Sequence, residues 1–261
     1  VNINEGLKCM QESDNCKFSL LSNYSGPRDS RIKFLILHYT ALSLEESLKI
    51  LTQDQVSAHY VVPESPIGKR PIIYRLVPDH ERAWHAGLSA WGGRTNLNDC
   101  SIGIEIVNRG YVEEPVKQWT PFTPYQVNIL ISLCQELIKT YGIQPHCILG
   151  HSDISPGRKF DPGPLFPWKE LAEAGIGLWP DANRIQKKRT ESIGSVLEIG
   201  SLQKDLKRYG YNLENSGILD EQTCAVIQAF HMHFMGSDSS EPTQETYMTL
   251  SALLDQRHMQ S

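Results

Sequence analysis

With 261 residues, 40% of them hydrophobic and 21% charged, the chain is long enough for one to two domains and apolar enough to exclude wholesale disorder. Its 25 Lys and Arg stand against 30 Asp and Glu, a formal charge of −5, which excludes a general electrostatic pull on nucleic acid or anionic lipid. No apolar run approaches the roughly 20 residues of a membrane helix; the run Phe34 to Leu37 is strand-sized. The chain opens at Val1 with no basic and then apolar stretch behind it, and is expected to be processed or trimmed. Six cysteines (Cys9, Cys16, Cys100, Cys134, Cys147, Cys224) contain no C-x-x-C pair, and their spacing does not choose among the possible pairings.

Residues 1 to about 30 are polar without period and are expected to form an irregular lead-in. Arg31 to Tyr39, RIKFLILHY, reads as a strand ending in a histidine. Ser43 and Glu46 make a capping box, and Leu44, Leu48 and Leu51 behind it predict a helix to about Asp54. Ala58 to Val62 and Ile72 to Val77 predict two strands, joined by a turn carrying Pro63, Pro66 and Gly68. Ser101 to Val107 is another strand, with Ile102, Ile104 and Ile106 on one face and Gly103, Glu105 and Val107 on the other. The best helix starts at Thr123 as N-cap, with Pro124 at N1 and Gln126 completing a capping box. On it Val127, Leu130, Ile131, Cys134, Leu137, Ile138 and Tyr141 share one face, and Gly142 stops it. Cys134 on that face reads as a buried thiol. The short apolar piece Cys147 to Gly150 then leads into a Pro/Gly-rich loop, His151 to Pro167. This order predicts an α/β fold over residues 31–176, a mixed central sheet flanked by helices.

From Gly177 to Gly194 the periodicity fails, and the charged run QKKRTE marks 177–194 as a linker. Three helical patterns follow: Leu202 to Tyr209, a second from Asp220 carrying Val226, Ile227, Phe230 and Phe234, and a third carrying Tyr247, Leu250, Leu253 and Leu254. They predict a small three-helix domain over 195–261.

Chemistry concentrates at strand ends and in the Pro/Gly loop. His38 closes a strand, His151 opens the loop, and Asp161 lies within Lys159-Phe160-Asp161-Pro162-Gly163-Pro164. Two imidazoles and one carboxylate leave a fourth zinc position for water. The spacing is not a compact H-E-x-x-H, and each histidine alone also reads as a satisfied strand-end or turn residue. Glu105 interrupts an apolar strand, where a carboxylate is unfavourable unless paired or used; the competing reading is an edge strand with one face in water. Lys159 sets a cation beside Asp161, although alone it is an ordinary loop lysine. Trp84-His85-Ala86-Gly87 offers a groove wall, although surface packing is the more common explanation for such a segment.

Together these pieces carry a resemblance. Leu37-His38-Tyr39-Thr40, Ala58-His59-Tyr60-Val61-Val62, Ala83-Trp84-His85-Ala86-Gly87, Ser101-Ile102-Gly103-Ile104-Glu105 and Gly150-His151-Ser152-Asp153-Ile154, ending in Lys159-Phe160-Asp161-Pro162-Gly163, occur in family order. Residues 30–175 resemble the zinc-dependent type 2 N-acetylmuramoyl-L-alanine amidases, whose fold is shared with peptidoglycan recognition proteins. The resemblance implies one Zn2+ held by His38, His151 and Asp161, with Glu105 as the catalytic acid–base and Lys159 as the transition-state cation. Trp84, His85 and Ala86 are the expected wall that meets glycan or peptide. The implied reaction is hydrolysis of the amide between N-acetylmuramic acid and L-alanine. Two other readings are a recognition module that binds without cutting and a zinc peptidase acting on stem peptides. Leu202-Gln203, Leu206, Gly210-Tyr211, Gly217, Asp220, Thr223 and Ala225-Val226 resemble a peptidoglycan-binding module, with Phe230-His231 where the module usually carries Phe-Gln. The two-domain order resembles lipoprotein amidases of the Gram-negative outer membrane. That implies a periplasmic protein with its signal and lipid anchor upstream, peptidoglycan and muropeptides as partners, no nucleic acid and no transmembrane segment.

Overall fold

The apolar run that ends in His38 becomes the inside of a sheet. The computed structural model describes residues 8–11, 16–66, 68, 71–113, 115–191 and 198–258. In chain order its elements begin with β1 (Lys8–Gln11), β2 (Cys16–Ser19), β3 (Gly26–Pro27), β4 (Phe34–Tyr39), α1 (Leu44–Gln53), β5 (Tyr60–Val62) and β6 (Ile72–Arg75). Next come β7 (Glu81–Arg82), β8 (Ala90–Trp91), β9 (Arg94–Thr95), β10 (Ser101–Ile106), β11 (Tyr111–Val112), β12 (Gln118–Trp119) and α2 (Pro124–Tyr141). β13 (Ile148–Gly150), α3 (His151–Ile154), α4 (Trp168–Glu173), α5 (Ala182–Glu191), α6 (Ile199–Tyr209), α7 (Glu221–Phe234) and α8 (Gln244–His258) complete it.

Seven strands form the central sheet in the order β1-β2-β6-β5-β10-β4-β13. β5, β10, β4 and β13 run parallel, while β6 is antiparallel to β5, so the sheet is mixed as expected. Both faces of β4 are covered, which is why its sequence is a continuous apolar run and not an alternating one. Leu35 and Leu37 pack with Val127, Leu130 and Leu133 of α2, and Phe34 and Ile36 pack on the opposite face with Leu149, Tyr211 and Phe230. α2 begins and ends as its sequence predicts. Thr123 Oγ1 accepts the Gln126 N–H at 3.2 Å, Gln126 Oε1 accepts the Thr123 N–H at 3.0 Å, and Gly142 closes the helix at φ 64°. Its buried stripe includes Ile129 and Leu133, whereas Ile131, Ile138 and Tyr141 are only partly buried. Cys134 on that stripe is a free thiol with no exposure, and burial pushes it up to about 12.

Three expectations change. The lead-in is not irregular throughout: β1 and β2 extend the sheet from β6, and β3 pairs with β7. β1 at the sheet edge, β2 beside it and the two-residue β3 are short and held by backbone hydrogen bonds, so no apolar period announces them. Arg28, next to β3, donates to the carbonyls of Asp79, Glu81, Asp99 and Ser101, which pins this segment beside β10. The stretch expected as a linker contains α5, a charged helix with a single isoleucine, Ile185. It is fastened to α8 by Lys188–Asp255 at 2.8 Å and Arg189–Glu245 at 2.7 Å, contacts that a search for hydrophobic period cannot see. Finally, the C-terminal helices share one apolar core with the sheet: Phe34, Ile36, Trp91, Leu97 and Leu149 cluster with Leu202, Tyr211, Phe230 and Leu253.

Candidate active site

Strand register assembles the site. Glu105 pairs with His38 across β10 and β4, and Gly150 pairs with Leu37 across β13 and β4. His151, one residue further, therefore arrives beside His38 at the carboxyl ends of three adjacent parallel strands, the usual place for ligands in an open α/β sheet. Asp161 is brought back to the same point by the Pro/Gly loop, whose Asp161 carbonyl accepts the Ser152 N–H at 2.9 Å. His38, His151 and Asp161 are all buried, and their ligand atoms lie within 4.8 Å of one another.

Hydrogen bonding dictates which imidazole nitrogens face this point. Ser101 Oγ donates to the Leu97 carbonyl at 2.6 Å, so the oxygen is left to accept from His85 Nε2 at 3.1 Å. His85 Nδ1 is then an acceptor, and His38 Nε2–H donates to it at 3.0 Å. On the other side His151 Nε2–H donates to the Ala86 carbonyl at 3.2 Å. His38 and His151 therefore each present a bare Nδ1. These two atoms are 2.9 Å apart, and each is 3.0 Å from Asp161 Oδ2. Burial opposes ionisation of Asp161, but His151 and His38 beside it hold its carboxyl well below the usual carboxylate range. Burial, with His151 adjacent, pushes His38 down to about 4. Three lone-pair donors in mutual contact repel one another unless a cation lies among them, and imidazole nitrogen and carboxylate oxygen are the donor types that divalent metals take. The residues present fit a metal.

Glu105 stands next to this cluster. The edge-strand reading fails, because β10 lies between β5 and β4. Its Oε2 is closed off from solvent with no hydrogen-bond partner among the described residues, and burial, aided by Asp161 and opposed by Lys159, pushes the carboxyl up to about 8. A cleft of about 340 Å³ opens over Glu105 and the three donors, and Lys159, Tyr39, Tyr111 and Trp84 line it. Trp84 lines the cleft, with the Arg82 guanidinium 4.3 Å from its ring centroid. His85 also lines the cleft, whereas Ala86 does not, and both back onto His38 and His151. His85 is 9% exposed and uses both ring nitrogens as above, and Ala86 is fully buried with its carbonyl turned to His151. Hydrogen-bonded outer groups of this kind fix tautomer and orientation of metal-binding histidines.

Several supporting residues escaped the sequence reading. Asn98 Oδ1 accepts the N–H groups of both His85 and Ala86, at 2.9 and 2.7 Å. Arg158 ties the ligand loop to this segment by donating to the carbonyls of Ala86 and Leu88 at 3.1 and 2.9 Å. Only its position next to Lys159 hinted at Arg158; Ser101 opens a predicted strand and a family motif but carries no sign of its hydrogen-bonding role, and nothing in the sequence singled out Asn98.

A mixed sheet with a His/His/Asp cluster at its parallel strand ends defines a hydrolase of one class. The chain belongs to the N-acetylmuramoyl-L-alanine amidase family, whose model matches residues 28–164. It is 46% identical to N-acetylmuramoyl-L-alanine amidase AmiD of Escherichia coli (strain K12) over 230 residues, 86% of this chain and 83% of that one. The solved structure of E. coli AmiD with the substrate anhydro-N-acetylmuramic acid-L-Ala-D-gamma-Glu-L-Lys matches with a TM-score of 0.81 and 40% identity, covering 98% of this chain and 99% of that one. AmpDh3 from Pseudomonas aeruginosa in complex with anhydromuramic pentapeptide matches with a TM-score of 0.82 and 37% identity, over 91% and 95% of the two chains. The chain is an AmiD-like amidase, as the resemblance implied, and the non-catalytic reading is set aside.

Proposed function

We propose that this amidase is zinc-dependent and cuts the bond between the lactyl carbonyl of N-acetylmuramic acid and the amino group of L-alanine, in peptidoglycan and in muropeptides with 1,6-anhydro sugars. The observation that carries this reading is the convergence of three bare donor atoms next to the unpartnered Glu105 oxygen in one open cleft. The anhydro sugars are supported by the ligands solved with AmiD and AmpDh3. When bound, zinc supplies a Lewis acid that acidifies water and polarises a carbonyl. His38, His151 and Asp161 hold the ion. Glu105 takes a proton from the attacking water and returns it to the alanine nitrogen as the C–N bond breaks. Lys159 faces the oxyanion that develops on the carbonyl. Trp84, with Tyr39 and Tyr111, forms the wall that meets sugar or peptide.

Metal analysis combined with mass spectrometry of a digested anhydromuropeptide tests the proposal. The expected result is one zinc per chain, activity lost to a chelator and restored by zinc, and a sugar product free of alanine. Cleavage within the stem peptide would make the protein a peptidase instead. For placement in the cell, we propose the periplasm with a lipid anchor upstream of Val1 and a wall-binding role for residues 195–261, as the two-domain resemblance implies. No helix among the described residues is long and apolar enough to cross a membrane. Lipid labelling and fractionation of the protein with its native upstream sequence check this.

A further inference from the structure

Asp153 is fully buried two residues beyond His151, and the mechanism above makes no use of it. A buried carboxylate is unfavourable unless its lone pairs are engaged. Here they are engaged from two directions. Asp153 Oδ2 accepts the Gly150 N–H at 2.7 Å, which closes the turn that carries His151. The same oxygen accepts from His233 Nδ1 at 2.7 Å, and Oδ1 accepts the Tyr211 O–H at 2.6 Å. Tyr211 follows α6 and His233 lies in the last turn of α7, so both donors come from the C-terminal helices. The His233 ring lies flat on Trp168, 3.7 Å between centroids at 18°, and its Nε2 has no partner among the described residues. Among the described residues, Asp153 is thus the one polar side chain bonded to that ring.

The turn has little room to move independently. A Cβ on Gly150 would meet Pro162 Cδ at 2.7 Å, and Ser152 N–H is bonded to the Asp161 carbonyl. A shift of the 150–153 turn therefore displaces His151 and Asp161 together.

We propose that Tyr211 and His233 are positioning residues for the metal-ligand cluster. Through Asp153 the C-terminal helices hold the His151 turn, and so form part of the active site's framework as well as any surface for the wall. This inference rests on the ligand roles of His151 and Asp161 proposed above.

The test uses the full chain as Tyr211→Phe, His233→Phe and the double variant, which keep ring packing and remove the donors. His233→Gln retains a side-chain donor, and Leu253→Ala, a buried residue elsewhere in the same helices, is the control for simple loss of stability. Zinc affinity by chelator competition, Tm, and kcat and KM on a soluble anhydromuropeptide are measured for each. The double variant is expected to bind zinc about 10- to 100-fold more weakly, the usual effect of removing outer support of a metal site, with the loss in kcat and not in KM. His233→Gln should recover part of that loss, and Leu253→Ala should lower Tm with zinc affinity unchanged. If the double variant fails to fold, Tyr211→Phe alone, lacking one hydroxyl, carries the same expectation at smaller amplitude. Variants that lose Tm like Leu253→Ala yet bind zinc and turn over like the parent overturn the inference and leave a plain packing contact. A parent that takes up no zinc overturns the ligand reading itself, and the inference with it.

Discussion

Gly103→Ala puts the hydrogen-bond chain behind His38 to the test. Gly103 lies in β10 directly under His85, and an added Cβ would meet His85 Cγ, Nδ1 and Cδ2 at 2.3, 2.5 and 2.6 Å. Ordinary carbon contacts begin near 3.5 Å, so the ring would have to retreat by about 1 Å. It is held on both sides, at 3.0 Å to His38 Nε2 and 3.1 Å to Ser101 Oγ, and a retreat of that size breaks at least one of these bonds. Overpacking of about 1–3 kcal/mol and a lost buried hydrogen bond of about 1–3 kcal/mol together give a destabilisation of roughly 2–6 kcal/mol. With His38 Nε2 unpartnered, zinc affinity should fall about 10- to 100-fold. Urea unfolding and chelator competition measure the two effects separately. Adding His85→Ala removes the clash, so the double variant should be more stable than the sum of the single changes predicts, while zinc affinity stays low. Gly103→Ala with the parent's unfolding midpoint and zinc affinity would refute the arrangement deduced for Ser101, His85 and His38.

Glu105→Gln removes the proposed proton carrier and leaves the three proposed metal donors in place, so it should retain zinc and lose about two to four decades of kcat; near-parental turnover in a stopped assay would rule out the acid–base role. Lys159→Ala should lower kcat with little change in KM, because the role proposed for its charge arises only as the oxyanion forms, and a change confined to KM would make it a binding lysine. A fragment ending at residue 180 would lay bare Trp91, Leu97, Leu149 and Ile154, now covered by the C-terminal helices. It is expected to aggregate or melt far below the full chain, as size-exclusion and thermal unfolding would record.

Much of the fold and the site could be read in the sequence because the determinants are local. Ser43 with Glu46 and Thr123 with Gln126 each close a capping box within four residues, and both helices start where those pairs place them. The apolar run before His38 reports a strand covered on both faces, and that alone put an imidazole at a strand end. The catalytic level of the site was not legible in the same way. That Glu105 sits beside His38 depends on parallel pairing between strands 67 residues apart, so without the family resemblance an edge strand fitted its sequence as well. The groups that fix imidazole tautomers lay further out of reach. Ser101 and Asn98 act through single side-chain oxygens, and their types and positions are those of ordinary loop and strand-end residues.

The C-terminal helices show what a hydrophobic period leaves open. Leu202, Leu206, Val226, Phe230 and Leu253 reveal that each helix has a face to bury, but a period carries no information about its partner. In the structure that partner is in large part the central sheet and the β8 segment beside it: Phe34, Ile36 and Leu149 share a core with these helices, Trp91 of β8 packs edge-on against Tyr211 with ring centroids 4.8 Å apart, and a Cβ on Gly210 would meet the Trp91 ring at 2.5 Å. His231, which departs from the usual module pattern, is likewise a core histidine, bonded to the Ser239 carbonyl at 2.7 Å and to Thr246 Oγ1 at 2.8 Å. That substitution therefore bears on how α7 and α8 pack, and not directly on a wall-binding groove. A surface occupied by the sheet cannot also grip an insoluble substrate. Whatever contact residues 195–261 make with cell wall must use what is left outward, such as Ile218 and Leu219 in the loop before α7, at 64% and 39% exposure. Polar substitutions there should weaken sedimentation with purified wall while leaving zinc content and turnover of a soluble muropeptide unchanged. Equal loss on both substrates would instead place that loop within the support of the catalytic site.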